Sequence, residues 1–410
     1  MAVRSASWSR PAEPGRSALL VALALSLFIG AWAGLHAGFY RHALIVDTPV
    51  YQRYGDAIAH GQVPYRDFAV EYPPGALPAF ALPALGHAEP PAFAPYRRVF
   101  EALMWACGAA ILLVTAASLR LLEAGGRRTA AVLAFLATAP LALGSVVLSR
   151  FDLWPAAVTA GALAALLARR HRLGHALLGL AVVVKVYPLV LVPVAVTHVW
   201  RERGRREALT CLGVAAAVVA ACFAPFLALA PGGVWDSVVR QTTRPLQIES
   251  LGSGILLALH HAAGLSVHWK SSHGSQNLVG TGPDAIGALQ TVLQVTVLLA
   301  VWWLFARGPG GRDELVRASA AALVAFVALG KVLSPQFLIW LIPLVPLVRG
   351  RRGLQAAALL GLALVLTQLW FPFRYWRLVF SFDAPASWLV LARDLVLLAV
   401  LATLVRPERT

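Results

Sequence analysis

Two basic clusters, Arg169-Arg170-His171-Arg172 and Arg201-Glu202-Arg203, bracket an apolar run broken at Val184-Lys185-Val186-Tyr187-Pro188, and this stretch decides the architecture. A single straight span over residues 173–200 would put one cluster on each side of a bilayer, against the tendency of Arg and Lys to stay on the cytoplasmic side. Proline removes a helix donor and disfavours helix at the residue before it, so Tyr187-Pro188 interrupts the run at its middle. A hairpin that enters the bilayer and returns satisfies both the break and the charges. Its arms are 173–184 and 188–200, with Lys185 at the tip. Residues 315–348 repeat the design around Lys331-Val332-Leu333-Ser334-Pro335. Arms of roughly 12 to 16 residues reach about 18 to 24 Å into a hydrocarbon core of about 30 Å, so both tips lie below the outer surface.

Working outward, the remaining apolar runs give spans at 17–39, 99–119, 129–148, 153–168, 207–230, 285–306, 353–371 and 387–405, about twelve in all with the four hairpin arms. Basic residues then fall on the connections of one side, and both termini are expected to be cytoplasmic. With 59% hydrophobic and 13% charged residues and a mean hydropathy of +0.71, the chain suits lipid rather than water as solvent. The expectation is an all-α polytopic membrane protein, one membrane domain over residues 1–410. Residues 19–34 follow Arg4, Arg10 and Arg16, and are read as an uncleaved first span despite the small-x-small run Ala31-Trp32-Ala33. The charge of +16 sits in short clusters between spans, so it reports topology and not nucleic acid. Cys107, Cys211 and Cys222 lie inside apolar runs and read as small buried hydrophobes. All but three of the basic residues are Arg, in a chain rich in Ala, Gly, Leu and Val, which points to a GC-rich bacterial genome and a bacterial plasma membrane.

Two connections, 40–98 and 231–284, are too long to be turns, and a third, 372–386, is shorter; function is expected in these extracytoplasmic loops. The first contains Asp47-Thr48-Pro49-Val50-Tyr51. Thr48 as cap, Pro49 at the first helical position and Gly61 beyond the end define a short helix. Its stripe of Val50, Tyr51, Tyr54, Ala57 and Ile58 suits a helix lying along the membrane interface. Asp47 then stands at a positive helix terminus. It reads either as an acid stabilised by that dipole or as a general base accepting a proton from a sugar hydroxyl. Asp56 belongs to the solvated face of the helix. Asp67, Glu71 and Tyr72 lie in a Tyr- and Pro-rich stretch that suits a sugar-binding wall or a loop packed on the membrane.

Lys185 and Lys331, two of only three lysines, each occupy a hairpin tip. A cation within the bilayer needs a partner. The phosphate of a lipid substrate would supply one, and pairing with a carboxylate or snorkelling to the interface is the alternative. Arg150-Phe151-Asp152 and Arg393-Asp394 read as local ion pairs. The second long loop carries the polar run Arg240-Gln241-Thr242-Thr243-Arg244-Pro245-Leu246-Gln247-Ile248-Glu249-Ser250, then His260-His261, of which His261 is a candidate for a proton or phosphate contact. No P-loop, dinucleotide glycine pattern, HExxH or G-x-S-x-G is present.

The segments Asp47 to Tyr51, residues 61–68, Tyr72-Pro73-Pro74, Lys185-Val186-Tyr187-Pro188, Arg244 to Ser250 and Ser334-Pro335-Gln336 together resemble glycosyltransferase family 87. That family comprises polyprenyl-phosphate-mannose-dependent membrane transferases of the C-type glycosyltransferase fold. The resemblance implies an inverting transfer to a glycolipid or cell-wall glycan acceptor, with Asp47 as base and no bound metal or nucleotide cofactor. Lys185, Arg244 and Lys331 are then the candidates for the phosphate. The rival readings are a transporter or lipid flippase, which also uses broken helices and buried cations, and a non-catalytic scaffold.

Overall fold

The computed structural model describes residues 14–41, 45–85 and 92–406; Arg4, Arg10 and residues 407–410, which enter the reading of the chain ends, lie outside the described residues. Among the described residues five helical stretches are long and apolar enough to cross a membrane: Ser17–Gly34, Phe93–Leu121, Tyr187–Leu229, Thr281–Arg307 and Ala384–Val405. The 29 residues of Phe93–Leu121 extend about 43 Å, past a hydrocarbon core of about 30 Å. Shorter helices Gly126–Leu143, Leu153–Leu167, His171–Val184, Arg312–Ala328 and Gly350–Gln368 pack among them. Leu289, Val292, Leu299 and Trp303 on Thr281–Arg307 are each more than half exposed, as lipid contact requires and water would penalise.

Arg312–Ala328 lies at the centre. From Leu315 to Leu329 every side chain except Arg317 and Phe326 is buried, and the many alanines let neighbouring backbones come close.

The first hairpin is visible in side-chain pairings. His171 lies beside Glu202 at 3.2 Å, whereas Arg172 pairs with Glu207 at 2.8 Å and a Cβ on Gly179 would meet the Ala215 backbone. The chain therefore rises along His171–Val184, turns at Lys185-Val186, descends to residue 203 and rises again from residue 205. The second reversal falls on Gly204, whose φ of 84° is open to glycine and strained for other residues. Without that kink Val192–Leu229 would be one unbroken helix. In the second hairpin Arg349 pairs with Asp313 at 3.0 Å, which brings its two Arg-rich ends together. Its return arm is not the continuous span expected over 335–348. It is a chain of short pieces, Pro335–Phe337, Leu338–Leu341 and Val345–Leu347, because Pro343 and Pro346 deny donors to a longer helix.

Two expectations need correction. The chain is not wholly α: Leu246–Gln247, His268–Ser272 and Ser275–Val279 form an antiparallel three-stranded sheet with the last strand in the middle. The hairpin turn is His273-Gly274, both at positive φ (53° and 67°), a conformation that matches the twist of paired strands. The helix Thr48–Ala59 also does not simply lie along an interface. Tyr51 on its stripe and the neighbouring Gly55 are buried in the protein, and a Cβ on Gly55 would run into the Phe80 carbonyl, so the helix rests directly on Leu77–Ala81.

Candidate active site

Pro49 starts the helix Thr48–Ala59 and leaves Asp47 at its N-terminal boundary, yet the Asp47 side chain makes no capping hydrogen bond. Asp152 occupies the same position before Leu153–Leu167, also without a capping bond. Both carboxylates are turned to cations instead. Arg150 forms an ion pair with Oδ2 of Asp47, and the Tyr51 hydroxyl donates to the same oxygen at 3.4 Å. Among the described residues Oδ1 of Asp47 accepts no hydrogen bond, and the side chain is 30% exposed.

Arg150 and Asp152 therefore do not pair with each other as their spacing suggested. Lys185 donates to Oδ1 of Asp152 at 2.6 Å, and the Trp340 indole donates to the same atom at 2.7 Å. The ammonium also lies 4.7 Å from the Phe151 ring centre and 5.1 Å from that of Trp340. Lys185 is thus neutralised by a carboxylate and walled by aromatic faces. Trp340 is itself stacked on Tyr187 at 4.0 Å, which locks the two hairpin tips together.

Arg244 lies in the same neighbourhood: Lys185 feels the charges of both Arg150 and Arg244, and Arg244 those of Glu71 and Glu249. Its Nε is buried without a hydrogen-bond partner among the described residues, and its Nη1 donates to Gln241 Oε1 at a long 3.5 Å. Lys331 is half-buried at the second tip. Its carbonyl accepts the Gln247 N–H at 2.9 Å, and among the described residues its ammonium has no carboxylate partner. Glu249, which the sequence reading placed in a polar run without a role, is fully buried here. Gln247 and Ser334 donate to Oε2, Arg393 donates to its backbone carbonyl at 2.7 Å, and Oε1 is left unpaired. Burial pushes its carboxyl up to about 7, against the opposing pull of Arg393 and Arg150. Arg393 and Asp394 do form the local pair expected, at 2.7 Å.

Arg150 Nε, Asp152 Oδ2, Arg244 Nε, Gln247 Oε1 and Glu249 Oε1 are all buried without hydrogen-bond partners among the described residues. Native interiors rarely leave such atoms unmatched, and their concentration around one set of charges marks a polar binding site.

The other candidates stand apart or serve as walls. Glu71 is pinned by its backbone, whose carbonyl accepts from Gln241 at 2.9 Å, and its carboxylate faces Gly274 of the strand turn. Tyr72 is an aromatic wall residue, 5.0 Å from Phe151 and 5.9 Å from Tyr51. Asp67 closes a local turn: Arg66 and the Val63 N–H hold its carboxyl down to about 2, and it is not brought to Asp47. His261 contacts Ser387 at 3.2 Å on another helix pair. Beside Asp47, a cavity of about 490 Å³ is lined by His36, Val46, Thr48, Arg97, Glu101 and Ser149. There Glu101 binds His36 at 2.9 Å and Arg97 at 2.6 Å.

Comparison with known proteins adds three findings. No curated protein sequence matches the chain. Among solved structures it is similar to that of ArnT from Cupriavidus metallidurans bound to undecaprenyl phosphate, at 17% identity and a TM-score of 0.49, over 96% of this chain and 77% of the other. Residues 70–335, well over half the chain and including Lys185, Arg244, Glu249 and Lys331, match the description of one family of membrane enzymes, and on that match the chain belongs to glycosyltransferase family 87.

Proposed function

We propose that this membrane glycosyltransferase moves a hexose, mannose by family resemblance, from a polyprenyl-phosphate carrier to a glycolipid or cell-wall glycan at the extracytoplasmic face of a bacterial plasma membrane. About twelve spans with both termini cytoplasmic accompany this reading. The observation that carries it is the placement of Asp47, with one carboxylate oxygen committed to Arg150 and the other unengaged among the described residues, beside a buried polar site with unmatched cationic donors.

In this reaction Oδ1 of Asp47 takes the proton of the acceptor hydroxyl as its oxygen attacks the anomeric carbon. The bond from that carbon to the phosphate oxygen breaks, and the polyprenyl phosphate leaves with the electron pair. Arg150 orients the base. The leaving phosphate gains charge as the bond breaks, so preorganised cations favour the transition state over the ground state. Arg244, with an unmatched Nε, and Lys331, without a carboxylate partner, suit that role better than Lys185, whose charge Asp152 already takes up. Lys185 then holds Asp152 and the hairpin tips in place. The cavity beside Asp47 offers room for the acceptor.

Incubating the purified protein with radiolabelled polyprenyl-phosphate mannose and a membrane lipid extract tests the reading. Labelled glycolipid is expected. Movement of the labelled donor between leaflets of a vesicle, with no labelled product, would favour the flippase instead.

A further inference from the structure

We propose that His171, His198 and Glu202 bind one divalent transition-metal ion of the zinc type at the Arg-rich end of the first hairpin. His198 and Glu202 are four residues apart on the descending arm, so they share a helix face. His171 opens the neighbouring helix His171–Val184 and meets them there. His171 Nε2 lies 3.2 Å from Glu202 Oε2, and His198 Nε2 lies 3.9 Å from Glu202 Oε1. One ligand atom from each of the three residues fits within 4.8 Å of the other two. Bonds of about 2.0–2.1 Å in a tetrahedral site put neighbouring ligand atoms about 3.3 Å apart, so a small inward adjustment closes the set around an ion. Three protein ligands leave the fourth position to water.

The second observation concerns His171. It is 6% exposed, and neither of its ring nitrogens has a hydrogen-bond partner among the described residues; the approach to Glu202 is close but misaligned for a hydrogen bond. An ordinary His–Glu pair would use one imidazole and leave the second pressed against the same carboxylate. A metal ion engages both imidazoles and the carboxylate together. The surrounding charge narrows its identity. Arg169, Arg203 and Arg312 act on these histidines, with Glu202 and Glu207 as the acidic groups, so the site is no electrostatic trap for a hard cation. Affinity has to come from nitrogen coordination, which suits zinc and disfavours magnesium or calcium.

The ion would tie the start of one arm to the end of the other, directly before the Gly204 reversal. The 14 residues of His171–Val184 place it about 20 Å from Lys185, so it is separate from the proposed reaction. The sequence trace of the cluster is His198-x-x-x-Glu202 with a histidine at the Arg-flanked start of the preceding arm, too sparse a pattern to imply a metal by itself.

The test is zinc titration of detergent-solubilised full-length protein carrying no polyhistidine tag, after treatment with a chelator. One equivalent of Zn²⁺ is expected to bind, with Co²⁺ in its place giving the visible absorption of a tetrahedral complex. His198→Asn and Glu202→Gln should weaken binding by more than the roughly 10- to 100-fold typical of outer-shell changes. His260→Asn, outside the cluster, should bind as the unaltered protein does. Glu202→Gln keeps shape and volume, and gel filtration establishes that each variant is folded. Absence of saturable zinc binding in the unaltered protein, or equal binding by folded His198→Asn and Glu202→Gln, overturns the proposal.

Discussion

Arg150 reaches Asp47 from the turn before Leu153–Leu167, more than a hundred residues along the chain, and takes the same carboxylate oxygen as the Tyr51 hydroxyl. The contact leaves the other oxygen without a hydrogen-bond partner among the described residues. It also separates two roles that one acid at a helix start could have, because a carboxylate engaged as a cap would face its own backbone.

Asp47→Asn should fold, since the amide keeps the shape. Turnover should fall by roughly 10²-fold or more while donor affinity changes little, the pattern of a lost general base. Asp67→Asn is the control from the same connection, because Asp67 is exposed and occupied by Arg66. Single-turnover kinetics with labelled donor give both quantities. Wild-type turnover in Asp47→Asn would remove it from the reaction.

Lys185→Met should act on stability first. Breaking one side of a buried ion pair costs about 3–5 kcal/mol, and the combined Lys185→Met, Asp152→Leu variant should recover a substantial part. Thermal inactivation in detergent reads this. A Lys185→Met protein of normal stability that no longer binds donor would return the lysine to the phosphate.

Arg244→Met and Lys331→Met should each weaken donor binding by about 1.5–3 kcal/mol, the range for a hydrogen bond to a charged group. Equilibrium binding of polyprenyl phosphate is the measurement. Unchanged affinity in both would place the phosphate elsewhere.

Glu249 carries a pH signature. Its folded carboxyl titrates at about 7 against an ordinary 4.5, so the fold binds its proton more tightly than the unfolded chain does. Its contribution is fully present below about 4.5 and lost as pH rises through about 7. Glu249→Gln should therefore gain stability relative to the unaltered protein over that window, seen as a diverging melting temperature. Parallel curves would mean that Glu249 is ionised in the folded protein.

Topology is open to labelling. Single cysteines at Arg205 and Arg351, next to the glycines that reverse the chain, should be shielded from an impermeant thiol reagent in intact cells. One at the exposed Ser271 should react. Labelling of Arg205→Cys from outside would undo the hairpin reading of residues 173–200.

Local chemistry made much of this legible. Proline and the Arg clusters located the hairpins because each acts on its own stretch of backbone, and Pro49 marked the start of the helix after Asp47. The pairings were out of reach for the opposite reason. That Arg150 serves Asp47 while Asp152 serves Lys185 depends on packing between distant helices, and neighbours in sequence suggested the wrong couple. Glu249 was hidden because Ser334 and Arg393 reach it from distant parts of the chain, beside its near neighbour Gln247. The small sheet left little trace, because in 268–272 and 275–279 only Trp269 and Val279 are strong strand formers and the pairing with Leu246-Gln247 is long-range.

The position of Glu71 has a consequence for chimeras. Gln241 grips its carbonyl, and Gly274 lies against its carboxylate, so close that a Cβ there would sit 3.0 Å from the nearer oxygen. The connections 40–98 and 231–284 are thus cut to each other's shape. A hybrid that takes one of them from a relative and keeps the other inherits a mismatched seam, so the two segments are exchangeable between relatives only as a unit.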